Sequence, residues 1–445
     1  MIGHKDEGMI KISGVRIVVI GGGSSYTPEL MSGLLKAQDL PVESVTLVDV
    51  PEGKEKLEIV RLFCQRLIDG AGSSIHLQTA LDRHEALAQA DFVLSQFRAG
   101  GLEARARDER IPLRYGAIGQ ETVGAGGFAN ALRTIPVTIG LARELESVNP
   151  DAWLINFTNP SGMVTEALLR HTRVRSIGLC NVPITIERTI AQALQVPPEA
   201  VSLDFFGLNH LSFARGVYVN GKNITPLVLE FLKNPQTQVA NIPDQEWDRD
   251  VLDAVGMLPN PYLQYYWNPG EMLSREQSAL AAGKGTRANE VMAVEKSLFQ
   301  AYQDPSQRTL PEALMQRGGA YYSTVAVMLI ESLALNRRRE IVVNVRNGHA
   351  LPELPESSVV EVPAVVDGRG AVALECGPMP ASVRGLIQQV KAYEELTIEA
   401  AMTGSRKTAL TALMNNPLVP SAGAAAKILE DILQENAAFL PQFAV

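Results

Sequence analysis

Val15-Arg16-Ile17-Val18-Val19-Ile20-Gly21-Gly22-Gly23-Ser24-Ser25-Tyr26-Thr27-Pro28 is the stretch whose reading decides the fold. Its first six residues are almost all β-branched and predict a buried strand. The glycines that follow predict a tight turn into a helix whose first turn carries Pro28. A glycine-rich turn between strand and helix lets backbone N–H groups approach a pyrophosphate at the helix N-terminus. Gly21 and Gly23 occupy the first two glycine positions of such a turn, and Tyr26 stands where the third belongs. Gly21, Gly23, Ser24 and Ser25 are therefore candidate dinucleotide contacts.

Asp49 strengthens that reading. It ends the next predicted strand, Thr46-Leu47-Val48-Asp49, where a carboxylate can accept both ribose hydroxyls and repel a 2′-phosphate, favouring NAD over NADP. Asn156, at the end of a later strand, is a further candidate cofactor contact.

From residue 15 to about 200, short apolar runs alternate with helical stretches. The runs are Arg16–Ile20, Ser44–Val48, Phe92–Ser95, Ala152–Asn156 and Arg175–Leu179. This spacing predicts an α/β fold: an N-terminal, doubly wound, Rossmann-like parallel sheet that binds ligands outside the C-terminal ends of its strands. After about residue 200 the pattern changes. An Asn220-Gly221 turn predicts an antiparallel hairpin, and long helices are predicted at Arg287–Tyr302, Tyr321–Asn336, Pro380–Thr403 and Gly423–Asn436. The chain thus divides into an NAD-binding domain, 1–200, and an α+β, mainly helical domain for substrate, metal and oligomerisation, 201–445. This expected architecture resembles that of lactate and malate dehydrogenases.

The 445 residues carry a net charge of −9, with no basic block longer than Arg337-Arg338-Arg339. No nucleic-acid partner is expected. No apolar run approaches the roughly 18 to 20 residues that span a bilayer, so no membrane partner is expected either. The opening Met1–Glu7 lacks the apolar core of a signal peptide. Three widely spaced cysteines, Cys64, Cys180 and Cys376, argue against a disulfide framework and for a cytoplasmic setting.

Cys180 and His210 each follow a predicted strand. Taken alone, each reads as an ordinary core residue; together they form a candidate metal pair. Arg98, Asn159 and Cys180 close three successive strands and so face one crevice, with Arg98 and Asn159 as candidate substrate contacts. Asn159 by itself is explained by turn formation before Pro160.

At this point the chain resembles a known family. The landmarks are Gly21-Gly22-Gly23-Ser24, Gln96-Phe97-Arg98-Ala99-Gly100-Gly101, Gly119-Gln120-Glu121-Thr122, Asn156-Phe157-Thr158-Asn159-Pro160, Cys180-Asn181-Val182-Pro183, Gly207-Leu208-Asn209-His210, Tyr262-Leu263-Gln264-Tyr265-Tyr266, Thr286-Arg287-Ala288-Asn289-Glu290 and Val360-Glu361-Val362-Pro363. In number and order they are similar to those of glycoside hydrolase family 4, glycosidases that use NAD and a divalent metal and stand apart from the two-carboxylate mechanism.

The resemblance implies a mechanism. NAD⁺ takes hydride from C3 of the sugar, and Cys180 and His210 hold a divalent ion, Mn²⁺ in most members, that polarises the new carbonyl. Tyr262 then removes the C2 proton, with Tyr265 and Tyr266 as alternatives. The aglycone leaves, water adds, and the hydride returns. Substrates phosphorylated at O6 make Arg287 a candidate phosphate partner. Asn181 replaces the aspartic acid of members that act on α-linked sugars, which points to 6-phospho-β-glucosides. The partner is then a phosphorylated disaccharide or β-glucoside, and relatives are commonly homodimers or homotetramers. Members acting on α-linked 6-phosphoglucosides, unphosphorylated hexosides or uronates stand as alternatives. So does a lactate- or malate-type dehydrogenase, followed by a dinucleotide-sensing module.

Overall fold

The computed structural model describes residues 14–233, 247–314 and 321–444. Met1–Glu7 lies outside them. Six parallel strands come first: β1 (Val15–Ile20), β2 (Val42–Val48), β3 (His76–Ala80), β4 (Phe92–Ser95), β5 (Trp153–Asn156) and β6 (Arg175–Gly178). β4 is buried at every position, as expected for a strand covered on both faces by helices. The order is β6-β5-β4-β1-β2-β3. Strand order reverses at β1, and the crevice beside it is where ligands of such sheets bind.

β3 was not expected from sequence. His76-Leu77-Gln78-Thr79-Ala80 has no buried residue and pairs only with β2 at the sheet edge, so it lacks the apolar run that marks a covered strand.

After β6 the chain builds a small antiparallel sheet. β7 (Val201–Leu208) and β8 (Leu211–Val219) pair across the two-residue turn Asn209-His210, with Leu208 opposite Leu211. β9 (Lys222–Asn223) returns along β8 through Asn220-Gly221, both at positive φ (49° and 76°). That pattern fits the right-handed twist of a hairpin. β10 (Leu258–Pro259) pairs with the same edge of β8 as β9, opposite β7.

The first sheet crosses the division at residue 200. β11 (Arg339–Arg346), β12 (Val359–Asp367) and β13 (Gly370–Ala373) add antiparallel strands beyond β6, making a nine-stranded mixed sheet. Val-rich β12 is buried at Val359–Ala364, so the second half supplies part of the main core. Helices Arg287–Gln303, Tyr322–Ala334, Ala381–Thr403 and Ala422–Glu435 follow the predicted spans closely. Among the described residues, no helix is long and apolar enough to cross a membrane.

One glycine pair positions the site. Helix Gly124–Val148 begins so close to the preceding loop that a Cβ on Gly126 would lie 2.2 Å from the Gln120 carbonyl, and one on Gly127 would lie 2.6 Å from Thr122. Only glycine allows this approach, which holds Gln120, Glu121 and Thr122 at the cavity wall.

Candidate active site

A cavity of about 880 Å³ runs along the C-terminal ends of β1, β2, β4, β5 and β6 and is closed by residues from the second half. Its size suits a cofactor with a small substrate. Gly21, Gly23, Ser24, Asp49, Arg98, Asn159, Cys180, Asn181, His210, Tyr262 and Arg287 all line it.

At the β1 end the glycine turn is built for close approach. Gly21 has φ +85°, and a Cβ there would lie 3.0 Å from Phe97; a Cβ on Gly22 would lie 2.7 Å from Leu47. Asp49 braces the turn. Its Oδ2 accepts the Gly23 N–H at 2.8 Å, and its Oδ1 accepts that of Val50 at 2.8 Å. Tyr26, at the third glycine position, stacks on Tyr322, which in turn packs on Phe157 and donates to Gln96 Oε1 at 3.1 Å. The turn and its acidic neighbour fit a dinucleotide.

Two expected cofactor contacts lie elsewhere. Ser25 is fully buried and does not line the cavity; its carbonyl accepts the Tyr302 hydroxyl at 2.8 Å. Asn156 is likewise buried. Its amide donates to the Thr158 and Ser161 carbonyls and to Thr165 Oγ1, while its oxygen accepts Ser95 Oγ at 2.9 Å and the Thr158 N–H. Those bonds use its side chain to tie β5 to β4 and to the following helix. A residue at a strand end can face the core as readily as the crevice, and sequence position does not tell which.

Cys180 and His210 meet across 30 residues. Sγ lies 3.7 Å from Nε2. A first-row divalent ion with metal–sulfur about 2.3 Å and metal–nitrogen about 2.1 Å would separate its donors by about 3.6 Å at a tetrahedral angle, so the pair fits one ion. His210 takes φ +63° at the hairpin turn, and its buried Nδ1 has no partner among the described residues. No third Cys, His, Asp or Glu joins the pair among the described residues, so an ion held here keeps positions open for substrate or water. Burial, opposed by the charge of Glu121, lowers the imidazole pKa to about 4, and the ring is neutral at pH 7. Burial first, then the charge of Glu361, pushes the Cys180 thiol well above its ordinary value.

Tyr262 stacks on His210 with ring centroids 4.0 Å apart and an interplanar angle of 14°. Burial and the charges of Glu121 and Cys180 raise its phenol, opposed by a Thr122 hydrogen bond and by Arg105. Glu121 is held by Arg98 and, at 2.9 Å, by Arg105, which also pairs with Glu109 at 2.7 Å. These acidic and basic residues sit in or near motifs that the sequence displays, but the two pairings onto Glu121 join side chains 23 and 16 positions apart. Arg287 opens its helix beside a Thr286–Asn289 capping box and pairs with Glu290 at 2.6 Å.

Glu361 also escaped the residue-level reading. It is fully buried in β12 and accepts bonds from Asn209, Ser212 and Asn344. A carboxylate within an otherwise apolar, β-branched run was the available signal.

A dinucleotide turn beside a thiol–imidazole pair defines a Rossmann-type redox architecture with a metal-competent site. The chain belongs to family 4 of the glycosyl hydrolases: residues 16–196 match the model of the Family 4 glycosyl hydrolases, and residues 205–419 match that of their C-terminal domain. It is 48% identical to the "Probable 6-phospho-beta-glucosidase" of Bacillus subtilis, over 97% of this chain and 98% of that protein. It is 41% identical to the "6-phospho-beta-glucosidase" of Escherichia coli, over 97% of each. The 6-phospho-beta glucosidase of Thermotoga maritima, solved with manganese, NAD⁺ and glucose-6-phosphate, superposes with a TM-score of 0.88 at 39% identity, covering 96% of this chain and 99% of that one. A malate dehydrogenase from Plasmodium falciparum shares the fold, with a TM-score of 0.52 at 14% identity over 87% of this chain and 98% of that one.

Proposed function

We propose that this chain is a 6-phospho-β-glucosidase that depends on NAD and a divalent metal, Mn²⁺ by preference, and cleaves its substrate by transient oxidation at C3. The observation that carries this reading is a single cavity joining the glycine turn and Asp49 to the Cys180–His210 pair and Tyr262. When bound, NAD⁺ supplies a hydride acceptor and the metal a Lewis acid.

The chain's own residues do the rest. Gly21, Gly23, Ser24 and Asp49 seat the dinucleotide. Cys180 Sγ and His210 Nε2 would hold the ion, and because no third Cys, His, Asp or Glu joins them among the described residues, sugar oxygens could reach it. Tyr262 takes the proton from C2. Burial and the charges of Glu121 and Cys180 raise its phenol, so an adjacent cation would be needed for it to act near neutral pH. Arg98, Asn159 and Arg287 bind the phosphorylated sugar. Asn181 stands at the N-cap position of the helix Val182–Leu194 and lines the cavity, and its amide cannot protonate a leaving group as a carboxylic acid would. This supports β over α linkage.

The chain works in the cytoplasm as a homodimer or homotetramer. A site that needs a reduced thiol supports the first point. Leu227 and Phe231, exposed on one helix, support self-association.

Metal binding will depend on pH. His210 is already neutral, whereas the Cys180 thiol is raised and must lose its proton to ligate. Between pH 5.5 and 8.5 the Mn²⁺ association constant is expected to rise by about tenfold per pH unit, with release of about one proton per ion. Isothermal titration in buffers of different ionisation enthalpy checks this; a flat profile would mean that the thiol does not ligate.

The function itself is tested with p-nitrophenyl β-glucoside 6-phosphate, Mn²⁺ and reductant. Nitrophenol release should require NAD⁺ without net NADH formation. Net NADH without nitrophenol would make the protein a dehydrogenase, and release without NAD⁺ would remove the redox step.

A further inference from the structure

A buried carboxylate is costly unless it is hydrogen-bonded. Glu361, the one charged residue of Val359-Val360-Glu361-Val362, draws its donors from three segments. Oε1 accepts Asn209 Nδ2 at 2.9 Å and Asn344 Nδ2 at 3.3 Å, and Oε2 accepts Ser212 Oγ at 3.2 Å. Ser212 Oγ in turn accepts Asn260 Nδ2 at 2.9 Å, and Asn260 Oδ1 accepts the Tyr262 N–H at 3.0 Å. One carboxylate thereby holds residues on both sides of His210 and reaches the backbone of Tyr262.

Asn209 is the bridge. Its Oδ1 accepts the Gly162 N–H at 3.4 Å, and its side-chain amide is hydrogen-bonded to Cys180. The amide nitrogen carries two donors, so one hydrogen can serve Glu361 and the other the sulfur. A flipped amide would set Oδ1 against the carboxylate. The buried acceptor therefore decides which end of Asn209 faces the thiol, and a hydrogen-bond partner of this kind orients a metal ligand.

We propose that Glu361 is a positioning residue for the thiol–imidazole pair, acting through Asn209 to keep a donor on Cys180 Sγ and to fix the turn that presents His210. The proposal rests on the metal-binding reading of Cys180 and His210. It touches neither substrate nor cofactor directly: Glu361 and Asn209 are absent from the cavity wall.

A double-mutant cycle on the full chain tests it, with Mn²⁺ affinity read from the electron paramagnetic resonance of the free ion. Asn209→Ala should weaken Mn²⁺ binding by about 10- to 100-fold, the usual effect of losing a group that orients a metal ligand. Glu361→Gln should weaken it by about tenfold, and the double variant should be no more than about threefold weaker than Asn209→Ala alone. A purely through-space effect of the Glu361 charge would instead persist in the Asn209→Ala background, so losses that multiply would overturn the proposal. So would wild-type affinity in Asn209→Ala. NAD⁺ affinity, followed by fluorescence, should stay within about threefold in each variant that folds.

A second measurement needs only Asn209→Ala. With Co²⁺ in place of Mn²⁺, losing a donor to sulfur should move the sulfur-to-metal charge-transfer band to lower energy, and an unmoved band overturns the proposal. Cys180→Ser is the reference. If it binds Mn²⁺ as tightly as the wild type, the metal reading itself falls and this proposal falls with it. If it binds poorly while the cycle is additive, only the role of Glu361 is lost.

Discussion

Cys180→Ser is expected to lower turnover of a 6-phospho-β-glucoside by about a thousandfold or more while leaving NAD⁺ affinity within about threefold. The size follows from the ligand count. Among the described residues no third Cys, His, Asp or Glu joins Cys180 and His210, and a neutral serine hydroxyl is a poor replacement for a thiolate, so the variant keeps one strong donor of that pair. Lewis-acid stabilisation worth several kcal/mol disappears with the ion. The cofactor end should not notice. The glycine turn and Asp49 follow β1 and β2, whereas Cys180 follows β6, separated from β1 by β4 and β5. Steady-state kinetics with saturating Mn²⁺, together with a fluorescence titration of NAD⁺, give both numbers. Full activity would exclude Cys180 from metal binding, and a parallel loss of NAD⁺ affinity would make the residue structural.

The second large effect belongs to Tyr262. Phenylalanine preserves the ring that stacks on His210 at 4.0 Å, so the cavity keeps its shape and only the hydroxyl is lost. Removing a general base costs about 10²- to 10⁴-fold. That loss should fall on one step: exchange of the C2 hydrogen with solvent deuterium should slow far more than hydride transfer from C3. Nuclear magnetic resonance of the recovered sugar reports the first, and primary isotope effects with C3-deuterated substrate report the second. Equal slowing of both steps would make Tyr262 a packing residue. In that case Tyr265 would be the next candidate, its hydroxyl being hydrogen-bonded to Gln120.

The fold class was legible because its signals are local. An apolar run ending at Ile20, a glycine turn and a helix beginning at Thr27 are a strand, a turn and a helix whatever surrounds them. Asp49 was legible for the same reason, since a carboxylate at the end of β2 must stand near the β1 turn. β3 was missed because an edge strand need not be apolar. Ser25 and Asn156 were placed among the cofactor contacts because sequence gives the position of a residue along an element but not its facing at an irregular strand end. Both side chains sit in the core rather than at the cavity.

Residue order along the chain determined the alternation of strands and helices, the position of the dinucleotide turn and the set of polar residues at the strand ends. Each depends on contacts within a few residues, where propensity, periodicity and turn chemistry act directly. Tertiary structure alone decided that β11, β12 and β13 complete the sheet begun by β1. It alone brought His210 Nε2 to 3.7 Å from Cys180 Sγ, laid Tyr262 on the imidazole, and set Glu361 beneath Asn209 from 152 residues away. Such pairings are fixed by the packing of whole elements against one another, and no local preference of the chain encodes them.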